Sequence, residues 1–291
     1  MLLFVPIGAD AQAGGDSKVS REGYGMVKTN LTTAHYSGWG NVKDGVQAKI
    51  SYEMVSNKAF TLTANAQYSS AEVDFKASDL SKGYDPDLIN LNGSHYMEQI
   101  GFTSTVRAKM FGKPFMGIVK ADTEWDGKDF ARVSGTVVGL FMLRTTKRTQ
   151  FGIGPLAMIN TSSSLPAFVM FLYRHRFNEK WLLNLYGGLL TCDYTPTQND
   201  LISFGADVDV KSFYFSPNDS TLPKRSRFKY TSFRPMVKYR RRLAQNFYFD
   251  AQAGVALKIS SRVNGVSGSK EYLKCRQKPT PFLQIGASYS L

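Results

Sequence analysis

Residues 247–259, FYFDAQAGVALKI, restrict what this chain can fold into more than any other stretch. Phe247, Phe249, Ala251, Ala253, Val255, Leu257 and Ile259 are apolar, while Tyr248, Asp250, Gln252, Gly254, Ala256 and Lys258 between them are mostly polar or small. Successive side chains of a strand point to opposite faces, so this is a strand with one greasy and one wet face. Its length suits a tilted strand crossing a bilayer. On its own it would also fit a soluble sandwich, and recurrence of the pattern has to decide.

The pattern recurs along the chain. Val46, Ala48, Ile50, Tyr52 and Met54 alternate with Gln47, Lys49, Ser51 and Glu53. After a turn at Ser56-Asn57-Lys58, Phe60 to Tyr68 repeat it, which makes a hairpin. Further hairpins join Gln99–Met110 to Phe115–Thr123 around Gly112-Lys113-Pro114, and Arg132–Leu143 to Gln150–Ile159 around RTTKR. Another joins FVMFLYRHRF to WLLNLY around Asn178-Glu179-Lys180. Leu189–Tyr194, Leu201–Tyr214, Thr231–Tyr239 and Leu283–Leu291 complete the set, with Tyr24–Tyr36 as a weak first strand. Short connections alternate with longer ones at 70–96, 124–130, 160–166, 216–227 and 260–278. That is the pattern of an outer-membrane barrel, with short periplasmic turns and longer outer loops. The expected fold is all-β, a single antiparallel transmembrane β-barrel of about fourteen strands, or about twelve if Gly187-Gly188 is a kink and not a turn. A sheet of that many twisted strands has to close or split.

Composition agrees. No stretch approaches the ~18 apolar residues of a spanning helix, and mean hydropathy is −0.24. The 20 Phe and 15 Tyr suit strands and membrane-interface belts. The net charge of +13 raises nucleic acid, anionic lipid or an anionic solute as partners. The Lys and Arg residues are spread over strands and turns and not gathered in one patch, which argues against nucleic acid. The opening LLFVPIGADAQAGGDS leads into Ala11-Gln12-Ala13, a small-x-small cleavage pattern. It reads as a signal peptide over 1–13 whose start is missing, with the barrel over 14–291; the alternative is an apolar terminus. Two cysteines, Cys192 and Cys275, exclude a disulfide-stapled scaffold and leave a single bridge open.

At RHRFNEKWLLNLYGG, and again at VKYRRRLAQNFYFDAQAGVAL, the chain resembles uncharacterised outer-membrane β-barrel proteins of Gram-negative bacteria, a domain-of-unknown-function family. Their repeating unit is a strand, a turn such as Phe177-Asn178-Glu179-Lys180-Trp181, and an aromatic-rich strand; the likeness spans Met97–Leu291. It implies residence in the bacterial outer membrane and recognition of the last strand, FLQIGASYSL, by the barrel-assembly machinery. That strand departs from the usual pattern by ending in Leu291, with Tyr289 two places earlier. No functional residues come with the family.

The face opposite the apolar one is the expected lumen. By parity it carries Lys49, Glu53, Arg107, Lys109, Lys120, Asp122, Arg132, Arg174, Arg176, Asp207, Asp209, Arg234, Lys238 and Asp250. Two readings stay open: a salt-bridged network that plugs the barrel, or a polar channel whose surplus cations favour anionic solutes. His35 lies two residues from Ser37, a weak echo of barrel enzymes that trim lipid A, but interfacial packing is the favoured reading of His35 as of His95 and His175. Lys224-Arg225-Ser226-Arg227 reads either as an outer-loop contact to lipopolysaccharide phosphates or as a solvated charge run. No zinc spacing, phosphate loop or G-x-S-x-G elbow occurs, so no cofactor is expected. The leading expectation is a non-enzymatic channel for small polar or anionic solutes. An accessory barrel of a surface secretion or uptake complex comes second, and a lipid-modifying hydrolase third.

Overall fold

A computed structural model describes residues 30–38, 41–127, 130–159, 167–187, 189–266 and 270–290. The proposed signal segment lies outside the described residues, as does 24–29 of the weak first strand. The strands are β1 (Asn30–Gly38), β2 (Val42–Ser56), β3 (Phe60–Val73), β4 (Gly93–Met110) and β5 (Lys113–Trp125). There follow β6 (Phe130–Thr145), β7 (Thr149–Ile159), β8 (Ala167–Arg176), β9 (Trp181–Tyr186) and β10 (Leu189–Tyr194). The last five are β11 (Asp200–Phe215), β12 (Ser226–Ala244), β13 (Phe247–Gly265), β14 (Glu271–Lys274) and β15 (Thr280–Ser290).

Each strand from β1 to β12 pairs antiparallel with the next. β12 then pairs with β13, β13 with β15, and β15 with β1 from Asn30↔Ser290 to Gly38↔Phe282. The ladder therefore returns on itself as a ring. Of the fifteen strands only β14 stands outside this ring; it pairs with the far end of β13.

The tight turn after Tyr186 sets the strand number. Gly187 has φ +55°, in the left-handed region that glycine enters without a Cβ clash, and Leu189 comes back opposite Tyr186. The Phe111–Gly112 turn is tighter than the sequence pattern suggests. Met110 pairs with Lys113, so both central residues have positive φ, as a type I′ hairpin requires.

Outward residues form an apolar belt. Val46, Ile50, Ile100, Phe102, Val119, Val133, Val169, Phe204, Val237, Val255, Ile259, Leu283 and Ile285 are all exposed. A soluble protein does not leave so continuous an apolar surface to water, whereas a transmembrane barrel needs it. At the short-turn end an aromatic band completes the belt. Phe115 packs on Phe141 at 5.1 Å between ring centroids, His175 on Phe177 at 4.7 Å, and Trp181 stacks on Tyr194 at 4.6 Å.

Two apolar clusters lie within the ring. One is at the long-loop end. It gathers Val73, Phe75, Leu80, Ile89 and Leu91 from β3 and the 74–92 connection, Phe213, Phe228, Tyr230 and Val263 from β11–β13, and Leu273 and Cys275. The other comprises Ile118, Val138, Leu140, Leu156, Met158 and Met170 on the inward face of β5–β8. An evenly polar lumen was the expectation for those strands, and here the structure corrects it. Both faces of β5–β8 carry apolar residues, so strict alternation understates how much of this wall is buried.

Candidate functional site

The interior of the ring is the candidate site. Parity brings the expected charged residues to the same inner face, but with different surroundings. Arg234 donates from Nε and Nη2 to the two carboxylate oxygens of Asp207, each at 2.8 Å, and its Nη1 is 3.4 Å from Asp209. All three are on paired strands, since Asp207 faces Arg234 across the β11–β12 ladder. Lys120 approaches Asp122 at 2.8 Å, and both have Lys49 as a charged neighbour. Asp250 receives Arg240 Nε at 2.7 Å and lies 3.6 Å from Lys238. These fork-on-carboxylate contacts are strong where water is scarce.

Other members of the set sit apart. Arg107 and Lys109 are exposed at the short-turn end, and Arg107 donates to the Thr61 hydroxyl at 3.2 Å. Glu53 is half-buried beside a register shift in β2. Arg174 has Arg176 and Asp193 as charged neighbours, and Asp193 accepts from Asn184 at 2.6 Å. Arg132 is buried, 7% exposed, in the outer half of the barrel with Tyr214 and Glu124.

Several interior residues escaped the sequence reading. Arg240, Lys211 and Glu124 continue the parities of Lys238, Asp209 and Asp122; Arg240 and Glu124 lie one residue beyond the expected strand ends, whereas Lys211 lies inside 201–214 and parity alone would have found it. Arg227, Lys229 and Arg262 were missed for another reason. The basic run at 224–227 reads as an exposed outer loop, whereas β12 already starts at Ser226, which is 0% exposed, and Arg227 is 2% exposed. Arg225 pairs with Asp126. Lys224 is thus exposed, Arg225 half-buried, and Ser226 and Arg227 are withdrawn from solvent.

The mouth at the long-loop end is filled. β11 runs against β4 on the opposite side of the ring. His95 of β4 sits 6.2 Å from the rings of Phe213 and Phe215, and its Nε2 bonds the Leu91 carbonyl oxygen at 2.8 Å. Interfacial packing is therefore the wrong description of His95, which belongs to the interior of the mouth. Polar contacts tie the connections together: Tyr84 to Thr221 at 2.8 Å, Asn90 Nδ2 to the Ser216 carbonyl at 3.0 Å, and Arg276 N to the Asp79 carbonyl at 2.6 Å. Below this layer a cavity of about 70 Å³ lies between β2–β4 and β11, lined by Gln47, Gln67, Ser69, Met97 and Lys211. A second, of about 20 Å³, adjoins Arg234 and Phe282. Such volumes hold a few water molecules.

His175 lies on the outer face in the aromatic band, and its Nδ1 meets the Thr149 hydroxyl at 2.9 Å. His35 and Ser37 occupy register positions opposite Ile285 and Leu283 of β15. Both cysteines are free. Cys192 pairs in register with Leu183 and Phe204 on the wall, while Cys275 is buried in the mouth cluster, where burial pushes its thiol pKa up to about 12. No cluster of metal-ligating side chains occurs among the described residues.

Neither the protein-family models nor the curated proteins contain a match to this chain. Solved structures do resemble it. An outer-membrane channel from Pseudomonas putida F1 matches with 10% identity and a TM-score of 0.44, over 94% of this chain and 100% of that one. The KdgM porin matches with 9% identity and a TM-score of 0.36, over 90% and 99%. The outer-membrane phospholipase of Salmonella typhi matches with 9% identity and a TM-score of 0.35, over 94% of each chain. The neighbours are outer-membrane β-barrels, and at these identities the likeness is one of fold.

Proposed function

We propose that this protein is an outer-membrane channel of a Gram-negative cell that passes small anionic solutes and is closed at rest by its own mouth cluster. The inner face carries the reading: Lys49, Lys120, Arg234, Lys238 and Arg240 project into the ring opposite an unbroken apolar belt. Fixed cations in a narrow, poorly solvated passage attract anions more strongly than the same charges in water. The belt supports residence in the outer membrane, with lipopolysaccharide and other lipids around it and insertion by the barrel-assembly machinery. Neither a cofactor nor a catalytic step enters this reading.

The filled mouth favours a second reading, an accessory barrel that never conducts. Planar-bilayer recordings separate the two. The wild type is expected to show low, intermittent conductance with anions preferred over cations. Replacing 76–90 by a short Gly-Ser linker should raise the open fraction. Lys49→Gln with Lys238→Gln should weaken anion preference while leaving heat-modifiable gel mobility intact. Arg234 is left alone, because breaking a buried ion pair costs about 3–5 kcal/mol. Silence in both the wild type and the linker variant would sink the channel and leave the accessory barrel.

A further inference from the structure

The upper halves of β11–β13 form an amphipathic sheet with both faces buried. One face, carrying Phe213, Phe228, Tyr230 and Val263, packs in the mouth cluster. The other carries Tyr214, Arg227, Lys229 and Arg262: Arg227 faces Tyr214 across one ladder, and Lys229 faces Arg262 across the next. Tyr214 donates its hydroxyl hydrogen to Glu124, which also accepts from Ser134 at 3.3 Å, so this polar face looks onto the inner side of β5 and β6. Arg262, Arg132 and Glu124 are charged neighbours of Lys229 among the described residues. Arg262 has Glu271 at 3.8 Å.

We propose that Arg132, Arg227, Lys229 and Arg262 form a binding site for a phosphate-type group, enclosed between β12–β13 and β5–β6 at the outer end of the barrel. One observation beyond the clustering of cations supports a ligand. Arg227 is 2% exposed, yet its Nε and one Nη have no hydrogen-bond partner among the described residues. A guanidinium is rarely buried without an acceptor, because its desolvation is then uncompensated. A phosphate-type group offers several acceptor oxygens to the unpartnered side of Arg227, and the planar fork of arginine matches it bidentately. Arg225 and Asp126, two residues outward of Arg227 and Glu124, pair across the outer rim of the site. That pair would have to part for a phosphate to enter.

The test uses the whole folded barrel in neutral detergent, with folding checked by heat-modifiable mobility. Inorganic phosphate is titrated at constant ionic strength against chloride, with dihexanoyl phosphatidic acid as a second probe and dihexanoyl phosphatidylcholine as its control. Saturable binding by calorimetry and a rise in unfolding midpoint are expected with at least one phosphate probe. Arg227→Gln should weaken binding by at least about tenfold, since a charge-assisted contact is lost. Arg107→Gln, at the far end of the barrel, should not. Tighter binding of inorganic phosphate would assign the site to a solute, and tighter binding of phosphatidic acid to a lipid headgroup. If Arg227→Gln does not fold, Lys229→Gln takes its place. Absence of saturable binding in the wild type, or unchanged binding in the folded variant, would overturn the proposal. The measurement needs no conduction, so a barrel silent in bilayers leaves it standing.

Discussion

The two sides of the wall are built to different heights. β9 and β10 contain six residues each, about 20 Å if fully upright, whereas β12 and β13 contain 19 each. An outer-membrane apolar band is about 25 Å tall, so the low side barely fills it and the tall side rises well beyond it. The step between them falls on β11. Leu190 is the last β10 residue paired with it, opposite Ala206, and beyond that β11 continues to Phe215 without β10 beside it. A free strand edge leaves N–H and C=O groups in search of partners. Here the extension runs against β4, with one face in the mouth cluster and the other on Glu124. The lid of this barrel is thus its own tall wall, turned inward where the low wall ends.

The largest effect should come from breaking the lid on its apolar face. Phe228 is 1% exposed and packs edge-on against Phe75 at 5.7 Å. Phe228→Ala should cost about 3–5 kcal/mol, measured by urea unfolding in detergent. Cys275 provides a local readout, in a Cys192→Ser background. With its thiol pushed up to about 12 and buried, it should react slowly with maleimide at neutral pH. Phe228→Ala should speed that reaction sharply. If labelling is already fast in the parent, the lid does not hold the mouth closed.

A second comparison probes the lipid face of each wall. Val255, on the tall side, should sit near mid-membrane, and Val255→Arg should cost about 2–4 kcal/mol. Leu190, near the top of the low side and 47% exposed, should tolerate arginine at about 0–1 kcal/mol, because it reaches the interface. Equal costs would mean that lipid covers the low wall as deeply as the tall one. Gln252→Arg serves as the inward control on β13. Gly254 does not, since a Cβ there would collide with the Pro235 carbonyl across the ladder.

Alternation made the wall legible. The residues 247–259 are the lower two-thirds of β13, and the outward set from Val255 to Ile259 is exposed as their parity requires. Inner-face charges such as Arg234 and Asp207 were legible for the same reason. The mouth was not. Its core comes from side chains in a connection (Ile89, Leu91) and from strand ends whose two faces are both buried (Arg227, Phe228), and burial of both faces erases the period of two. Bulges hid more. The register shift between Thr231 and Ser232 leaves Ile259 as an extra residue of β13, so the parity that puts Asp250 inside does not carry through to Arg262. The low wall was hidden too, because a six-residue apolar run says nothing about how tall its neighbours are.

The smallest expected effect lies at the opposite end, where the turns are short. Phe111 adopts φ +51° and is 88% exposed, an unusual pairing of a bulky side chain with a left-handed backbone. Type I′ turns favour asparagine at this place, because its short polar side chain tolerates the conformation. Against that, the Phe111 ring lies 6.3 Å from Phe141 and extends the aromatic band toward the headgroups. Relief of the strain should therefore dominate where there is no bilayer interface to anchor. Phe111→Asn is expected to stabilise the barrel by about 1 kcal/mol in detergent micelles and to lose that gain in lipid vesicles, as read from urea unfolding in the two media. A loss of stability in both would show that the Phe141 contact outweighs the backbone strain. An equal gain in both would mean that the ring contributes nothing to holding this end of the barrel at the interface.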